Sequence, residues 1–483
     1  MIGVRWVLTG AVVLCGVVSP MAWADSEVAE SRDCYLDGWR NTLRCSRLTV
    51  GKGDTRVSLA VMVAPAVSES DKAPLYLLAG GPGQAASDLA PMLNFFRRVN
   101  RERAIVLVDR RGAGLSQSLD CGWNLMLPTN LEVFSSELAD CYLEQKSFAN
   151  SLSSRQAVND LERVRKHLGH RKIALWGVSW GTRTALLYQQ WYPESLSVLV
   201  LDAVAPIETK VFLTAQAAEG ALQALERDCL KDRACAQLDD WRTELNDLLE
   251  NWQATAIPFP DPFTGVLSEE PVPRWVLQNV IRGALYHPET AALLPYAIKQ
   301  ASRGNYLPLS AIEGLLRQNT MSLGLTFSVA CAEELNRISP EDVARDEAGT
   351  FLGNAFLEMF ERGCQVWPVS EKPYAKPEPR SHPVLLISGE ADPITPPRYA
   401  DEQLQYLSNK QHLVIAGGGH SNTGRGCIPE LIADFLHAPD KPLEQGCMEE
   451  MHRPPFMVDG FGPAPGRKTP LVEGENTLGG EHL

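Results

Sequence analysis

Apolar residues fall along this chain in two periods. Short runs, apolar at nearly every position, occur at Val57–Val63, Leu75–Leu78, Ala104–Val108, Ile173–Trp176, Val198–Leu201, Val384–Ile387 and His412–Ile415. Runs of that length, without strict alternation, predict strands covered on both faces, as in a mostly parallel sheet. Between the third and fourth runs, Ala157, Val158, Leu161, Val164 and Leu168 recur at helical spacing behind Ser154-Arg155-Gln156. Another helix is predicted from Thr182 to Trp191, stopping before Pro193. Strands alternating with helices predict an α/β layer architecture.

The strand signal fades between Val204 and about Pro383. Helical patterns take over at Ala215–Leu230, Gln237–Trp252, Val276–Leu285, Thr290–Ala301 and Glu341–Phe360, with Pro258 to Pro262 interrupting them. Pro368 to Pro383 returns the chain to the sheet. The expected division is a leader over 1–24, the first part of a sheet domain over 25–204 and a helical cap inserted over 205–383. The second part of the sheet domain follows over 384–440, then a Gly/Pro-rich tail over 441–483, loosely held from about Pro454. The leader has the form of a secretory signal. Arg5 precedes the apolar stretch Val7 to Val18, and Ala22-Trp23-Ala24 precedes Asp25. That stretch is shorter than the ~20 residues a span needs, so no stable membrane span is expected after cleavage.

Composition narrows the function classes. With 45% apolar and 22% charged residues, the 483-residue chain is globular in character. A net charge of −14 argues against a nucleic-acid partner, because phosphate binding needs clustered Lys and Arg. Eleven cysteines are present, and Cys15 leaves with the leader. The other ten fall in sequence-near pairs: Cys34 and Cys45, Cys121 and Cys141, Cys229 and Cys235, Cys331 and Cys364, Cys427 and Cys447. Five nearest-neighbour disulfides are the expectation for an exported protein, periplasmic or secreted, although spacing alone leaves the connectivity open. No Cys-x-x-Cys pair is present, so no metal is expected.

The candidate chemistry sits at the carboxyl ends of the predicted strands. Gly177-Val178-Ser179-Trp180-Gly181 closes the run Ile173–Trp176 and opens a helix. A G-x-S-x-G sequence in that context reads as a nucleophile elbow, with Ser179 on a sharp turn and small residues where strand and helix crowd together. Gly80-Gly81-Pro82-Gly83 follows Leu75–Leu78, and its backbone near Gly81 together with the Trp180 N–H could hold an oxyanion. A serine hydroxyl needs a base and an orienting acid. Asp392 follows Val384–Ile387 and His420 follows His412–Ile415, which gives the order Ser, Asp, His. Glu390, two residues nearer its strand, is the alternative acid. Asp109, in the turn Asp109–Gly114, is read as support behind the oxyanion loop.

These segments together resemble the prolyl and tripeptidyl aminopeptidase branch of the α/β-hydrolases, over nearly the whole chain to about Leu436. The resemblance implies the α/β-hydrolase fold, with a mostly parallel sheet and an inserted helical cap. It implies a peptidase that releases a residue or short peptide from a free amino terminus through an acyl-enzyme, with no cofactor. Prolyl aminopeptidases carry His in HGGPG where this chain has Ala79, which points toward the tripeptidyl side. A carboxylesterase or lipase is the alternative, and the substrate is accordingly a peptide or small ester. A hydrolase fold kept only for binding is a third reading, disfavoured because Ser179, Asp392 and His420 are all present. Glu333 and Glu334, after Cys331, are candidate substrate-binding carboxylates for the ammonium group; the resembled branch uses acidic residues of the cap in this way.

Overall fold

The structure is a computed structural model that describes residues 28–121, 130–238, 240–252, 259–261, 264–267, 272–316, 321–373 and 375–463. The expected leader and the last part of the tail lie outside the described residues.

Nine strands form one sheet in the order β1-β2-β3-β5-β4-β6-β7-β8-β9. They are β1 (Val28–Leu36), β2 (Trp39–Val50), β3 (Val57–Ala64), β4 (Leu75–Leu78), β5 (Ile105–Val108), β6 (Ile173–Val178), β7 (Leu196–Asp202), β8 (Val384–Gly389) and β9 (Lys410–Ile415). The first three and β5 pair antiparallel, and β5-β4-β6-β7-β8-β9 run parallel. All seven predicted runs are strands. In the parallel part, β9 at the edge excepted, both faces are buried: Leu175, Leu199 and Leu386 enter one apolar cluster, while Trp176, Val200 and Ile387 enter the other. Double burial is why those strands show no alternation.

The edge strand β1 and its neighbour β2 went unpredicted. Residues such as Arg32, Asp33 and Tyr35 are exposed, so the run carries no apolar stretch to flag it. The Cys34–Cys45 disulfide joins these two strands. Cys121–Cys141, Cys229–Cys235, Cys331–Cys364 and Cys427–Cys447 are also bonded, with Cα atoms 5.1 to 6.4 Å apart across the five bridges.

The chain between β7 and β8 is helical. Its helices Ala215–Lys231, Trp241–Asn251, Arg274–Ala284 and Leu294–Ala301 share a cluster of their own. The helix expected over Glu341–Phe360 is instead two, Pro340–Glu347 and Leu357–Val366. Gly349 and Gly353 between them adopt φ of +70° and +52°, left-handed values that end a helix. Leu323–Glu333 also went unpredicted, because nearly every residue in it is buried and no polar face marks a period. It joins the sheet's own cluster, as does Leu357–Val366. The segment between β7 and β8 therefore serves both as cap and as part of the main core.

The tail differs from expectation as far as it is described. Phe456 is buried in the cap cluster, the Met457 N–H donates to the Ala292 carbonyl (3.1 Å), and Arg453 reaches Asp228 (3.1 Å). Apolar burial plus an ion pair holds a segment whose Gly and Pro content suggested looseness.

Candidate active site

Ser179 stands between β6 and the helix Trp180–Trp191, with φ 54° and ψ −124°. That conformation is strained for a residue with a side chain, and the surroundings fix it. The Ser179 N–H donates to the Asp202 carbonyl (3.0 Å), and its own carbonyl accepts from the N–H (2.9 Å) and hydroxyl (2.6 Å) of Thr182. The flanking glycines are sterically required. A Cβ on Gly177 would lie 2.5 Å from the Gly181 carbonyl oxygen, and one on Gly181 would lie 2.1 Å from that of Leu78.

His420 lies beyond β9, 8% exposed. Its Nδ1 is 2.9 and 3.0 Å from the two carboxylate oxygens of Asp392. Asp392 also accepts from the N–H groups of Ile394 and Thr395 (2.8 Å each) and from the Thr395 hydroxyl (2.9 Å). Burial alone would push this carboxyl up. The facing His420 and the two N–H donors outweigh that and hold it below its ordinary value. An ionised Asp392 accepts a hydrogen bond from the Nδ1–H, which keeps the proton on Nδ1 and leaves Nε2 as the accepting nitrogen of the neutral ring. Glu390 does something else: it accepts the Gly417 N–H (3.0 Å) and braces the turn before His420.

Two further groups hold the His420 loop, and the sequence reading passed over both. Asp202 ends β7, fully buried, and accepts from Asn422 N–H (2.8 Å), Thr423 N–H (2.8 Å) and Thr423 hydroxyl (2.7 Å). Burial pushes its carboxyl up, against those donors. A carboxylate at the end of an apolar strand was the available signal. Tyr286, in the cap, accepts the His420 N–H on its carbonyl (2.7 Å) and sets its ring edge-on to the imidazole, 5.1 Å between centroids. Nothing local in the sequence marks it, because the contact exists only once the cap has docked.

The Gly80–Gly83 loop comes directly under the elbow. A Cβ on Gly80 would stand 3.1 Å from that of Ser179, and Gly81 adopts φ +106°. The Gly80 N–H is taken by Gln84 Oε1 (3.3 Å). Asp109 supports the loop from behind, accepting from Ser87 N–H (2.7 Å), Ser87 hydroxyl (2.8 Å) and Leu115 N–H (2.8 Å).

Ser179, Gly81, Trp180 and His420 all line one cavity of about 820 Å³, within the range of small-molecule and peptide sites. Arg282, Tyr286, Phe356 and Phe360, from the segment between β7 and β8, line it too. Among the described residues, no group of three or more His, Cys, Asp or Glu is disposed to hold a metal ion.

Glu333 and Glu334 are not brought to this cavity, which corrects their expected role. Glu333 accepts the N–H of Ser154 (2.6 Å), the first residue of the helix Ser154–His167, and so acts as a tertiary cap on an orphan donor. Glu334, fully buried, pairs with Arg183 and with Arg337 (2.9 Å). Both of its ion pairs fall on Oε1, and neither glutamate lines the cavity, so neither is placed to meet a ligand's ammonium group there. The carboxylates that do line the cavity are Asp37 and Asp88.

A family model described as alpha/beta hydrolase fold matches residues 73–236, and one described as TAP-like protein matches 349–447. YuaR of Escherichia coli (strain K12) is 24% identical over 427 residues, 81% of this chain and 83% of its own length. The serine protease Hip1 of Mycobacterium tuberculosis is 24% identical over 435 residues, 78% of this chain and 81% of Hip1. The proline iminopeptidase of Neisseria meningitidis serogroup B is 31% identical over 134 residues, 28% of this chain and 33% of that enzyme.

Proposed function

We propose, for a hydrolase that belongs to the prolyl and tripeptidyl aminopeptidase-like branch of the α/β-hydrolases, an exported serine peptidase acting near free amino termini. The observation that carries this reading is the buried Asp392–His420 pair opening onto the same cavity as Ser179. Ser179 Oγ attacks the substrate carbonyl while His420 Nε2 takes its proton. The N–H groups of Gly81 and Trp180 receive the oxyanion, and the positive end of the helix Trp180–Trp191 favours the charge. His420 then returns the proton to the departing amine, and water releases the acyl group by the same route.

Export is supported by the five disulfides, since such bonds persist in oxidising compartments. No helix among the described residues is long and apolar enough to cross a membrane. Amino-terminal sequencing of the exported protein should begin at Asp25; retention of Met1 would refute the leader.

Peptide rather than simple ester is supported by the names of the relatives above and by Asp37 and Asp88 on the cavity wall, which could face an ammonium group. Ser179→Ala should abolish both hydrolysis and organophosphonate labelling while leaving the fold intact, with at most a residual ~10³–10⁴-fold over water. Aminoacyl, tripeptidyl and acetyl ester substrates should be compared on the purified protein. Near-normal turnover by Ser179→Ala would sink the mechanism, and turnover confined to esters would sink the peptidase reading.

A further inference from the structure

The cap contributes a buried cation to the cavity that the proposed reaction does not use. Arg282 lies on the helix Arg274–Ala284, lines the cavity and is 4% exposed. The other two arginines as deeply buried among the described residues, Arg111 and Arg183, each hold a carboxylate, Asp160 and Glu334 respectively. Arg282 holds none among the described residues. Its Nη1 donates to the Tyr286 hydroxyl (3.2 Å), and its Nε reaches Asn279 Oδ1 at a long 3.4 Å. Its guanidinium lies over the Phe356 ring, 3.8 Å from the centroid, and 5.5 Å from that of Tyr286.

Neutral partners and ring faces compensate a buried charge only in part, since desolvation of an ion exceeds what a cation–π contact returns. Nε and Nη1 are engaged in this way, and Nη2 has no hydrogen-bond partner among the described residues, so the guanidinium keeps donor capacity for a carboxylate, the planar acceptor that suits it. Tyr286 links the group to the reaction centre, because its ring also stands against His420.

We infer that Arg282 is the site in the cavity for an anionic group of the ligand, so that the favoured peptides carry a carboxylate within it. This deepens the peptidase reading and rests on it. The carboxylate has two sources, an acidic side chain or the free carboxyl terminus of a short peptide, and both present the same fork-shaped acceptor.

Binding separates this inference from the question of catalysis. Dissociation constants are measured by calorimetry on the full chain carrying Ser179→Ala. Ala-Ala-Glu-amide is set against Ala-Ala-Gln-amide for the side chain, and free Ala-Ala-Ala against its amide for the terminus. At least one anionic member should bind roughly 30-fold more tightly than its neutral partner, the loss expected when one partner of a desolvated charge pair is removed. Adding Arg282→Gln should bring that ratio close to one, while Arg282→Lys should retain part of it, keeping the charge without the fork. Ratios near one for both pairs in the Ser179→Ala protein would overturn the inference, even if the variants at 282 fail to fold. So would a preference for the anion that survives Arg282→Gln. Neither result touches the hydrolase reading, which fails on turnover by the wild-type protein.

Discussion

Asp392 and Glu390 stand two residues apart beyond the same strand, yet their partners separate them completely. Asp392 faces His420 Nδ1, whereas Glu390 receives the Gly417 N–H. Replacing Asp392 with Asn should reduce kcat by roughly 10⁴, because the amide no longer favours the tautomer in which Nε2 accepts a proton. Glu390→Gln keeps an acceptor oxygen for Gly417 and should cost far less. Steady-state kinetics of the two variants decides the matter, and a reversed order would mean the wrong acid. Both carboxylates were legible as candidates in the sequence. Choosing between them needed side-chain direction, which a two-residue spacing beyond a strand end does not supply.

At the level of elements, the elbow was the most legible feature, because its chemistry leaves few residue choices. Strand β6 meets the helix Trp180–Trp191 so closely that Gly177 admits no side chain, and the end of β4 lies so close to the helix that Gly181 admits none either. A Cβ on Gly181 would come within 2.8 Å of the Ala79 carbonyl as well as 2.1 Å of that of Leu78, so the strand leading into the Gly80–Gly83 loop would have to move. Gly181→Ala should therefore lower stability by about 1–3 kcal/mol, as overpacking does, and depress kcat with it. Urea denaturation and kinetics on the same preparation provide the check; unchanged stability would contradict the close approach. The cap was legible only as helical. Its contact with the site, through Tyr286 and Arg282, depends on how its helices dock.

For the whole molecule, buried carboxylates tie stability to pH with opposite signs. Asp392 is held below its ordinary value, so its contribution is complete above about pH 4 and is lost as pH falls through its lowered folded value. Asp109, Asp202 and Glu333 are pushed up by burial, so in the folded state they keep protons that the unfolded chain has released. Their effect makes the fold relatively more stable as pH drops from neutral toward 4. Because these terms are common to wild type and Asp392→Asn, the stability gap between the two isolates Asp392. That gap should be widest near neutrality and narrow progressively below about pH 4. A gap independent of pH across the acid range would show that Asp392 is not the ionised partner of His420.

Seven of the nine strands and the Gly177–Gly181 turn were legible in the sequence alone, as were ten cysteines lying in near pairs, though not their connectivity. Each of these is a short-range property: consecutive apolar residues need no distant partner to predict burial, and a turn without room for side chains demands glycine where it stands. Tertiary structure decided what depends on partners far apart in the chain. It added the edge strand β1 and its neighbour β2 to the sheet and buried most of Leu323–Glu333. It also spent Glu333 on the Ser154 amide and brought Asp202 and Tyr286 to the His420 loop. A carboxylate or arginine looks the same in sequence whether it faces a ligand, a helix end or another charge. Only packing settles which of these it meets, since the cost of burying a charge is set by the partners that burial supplies.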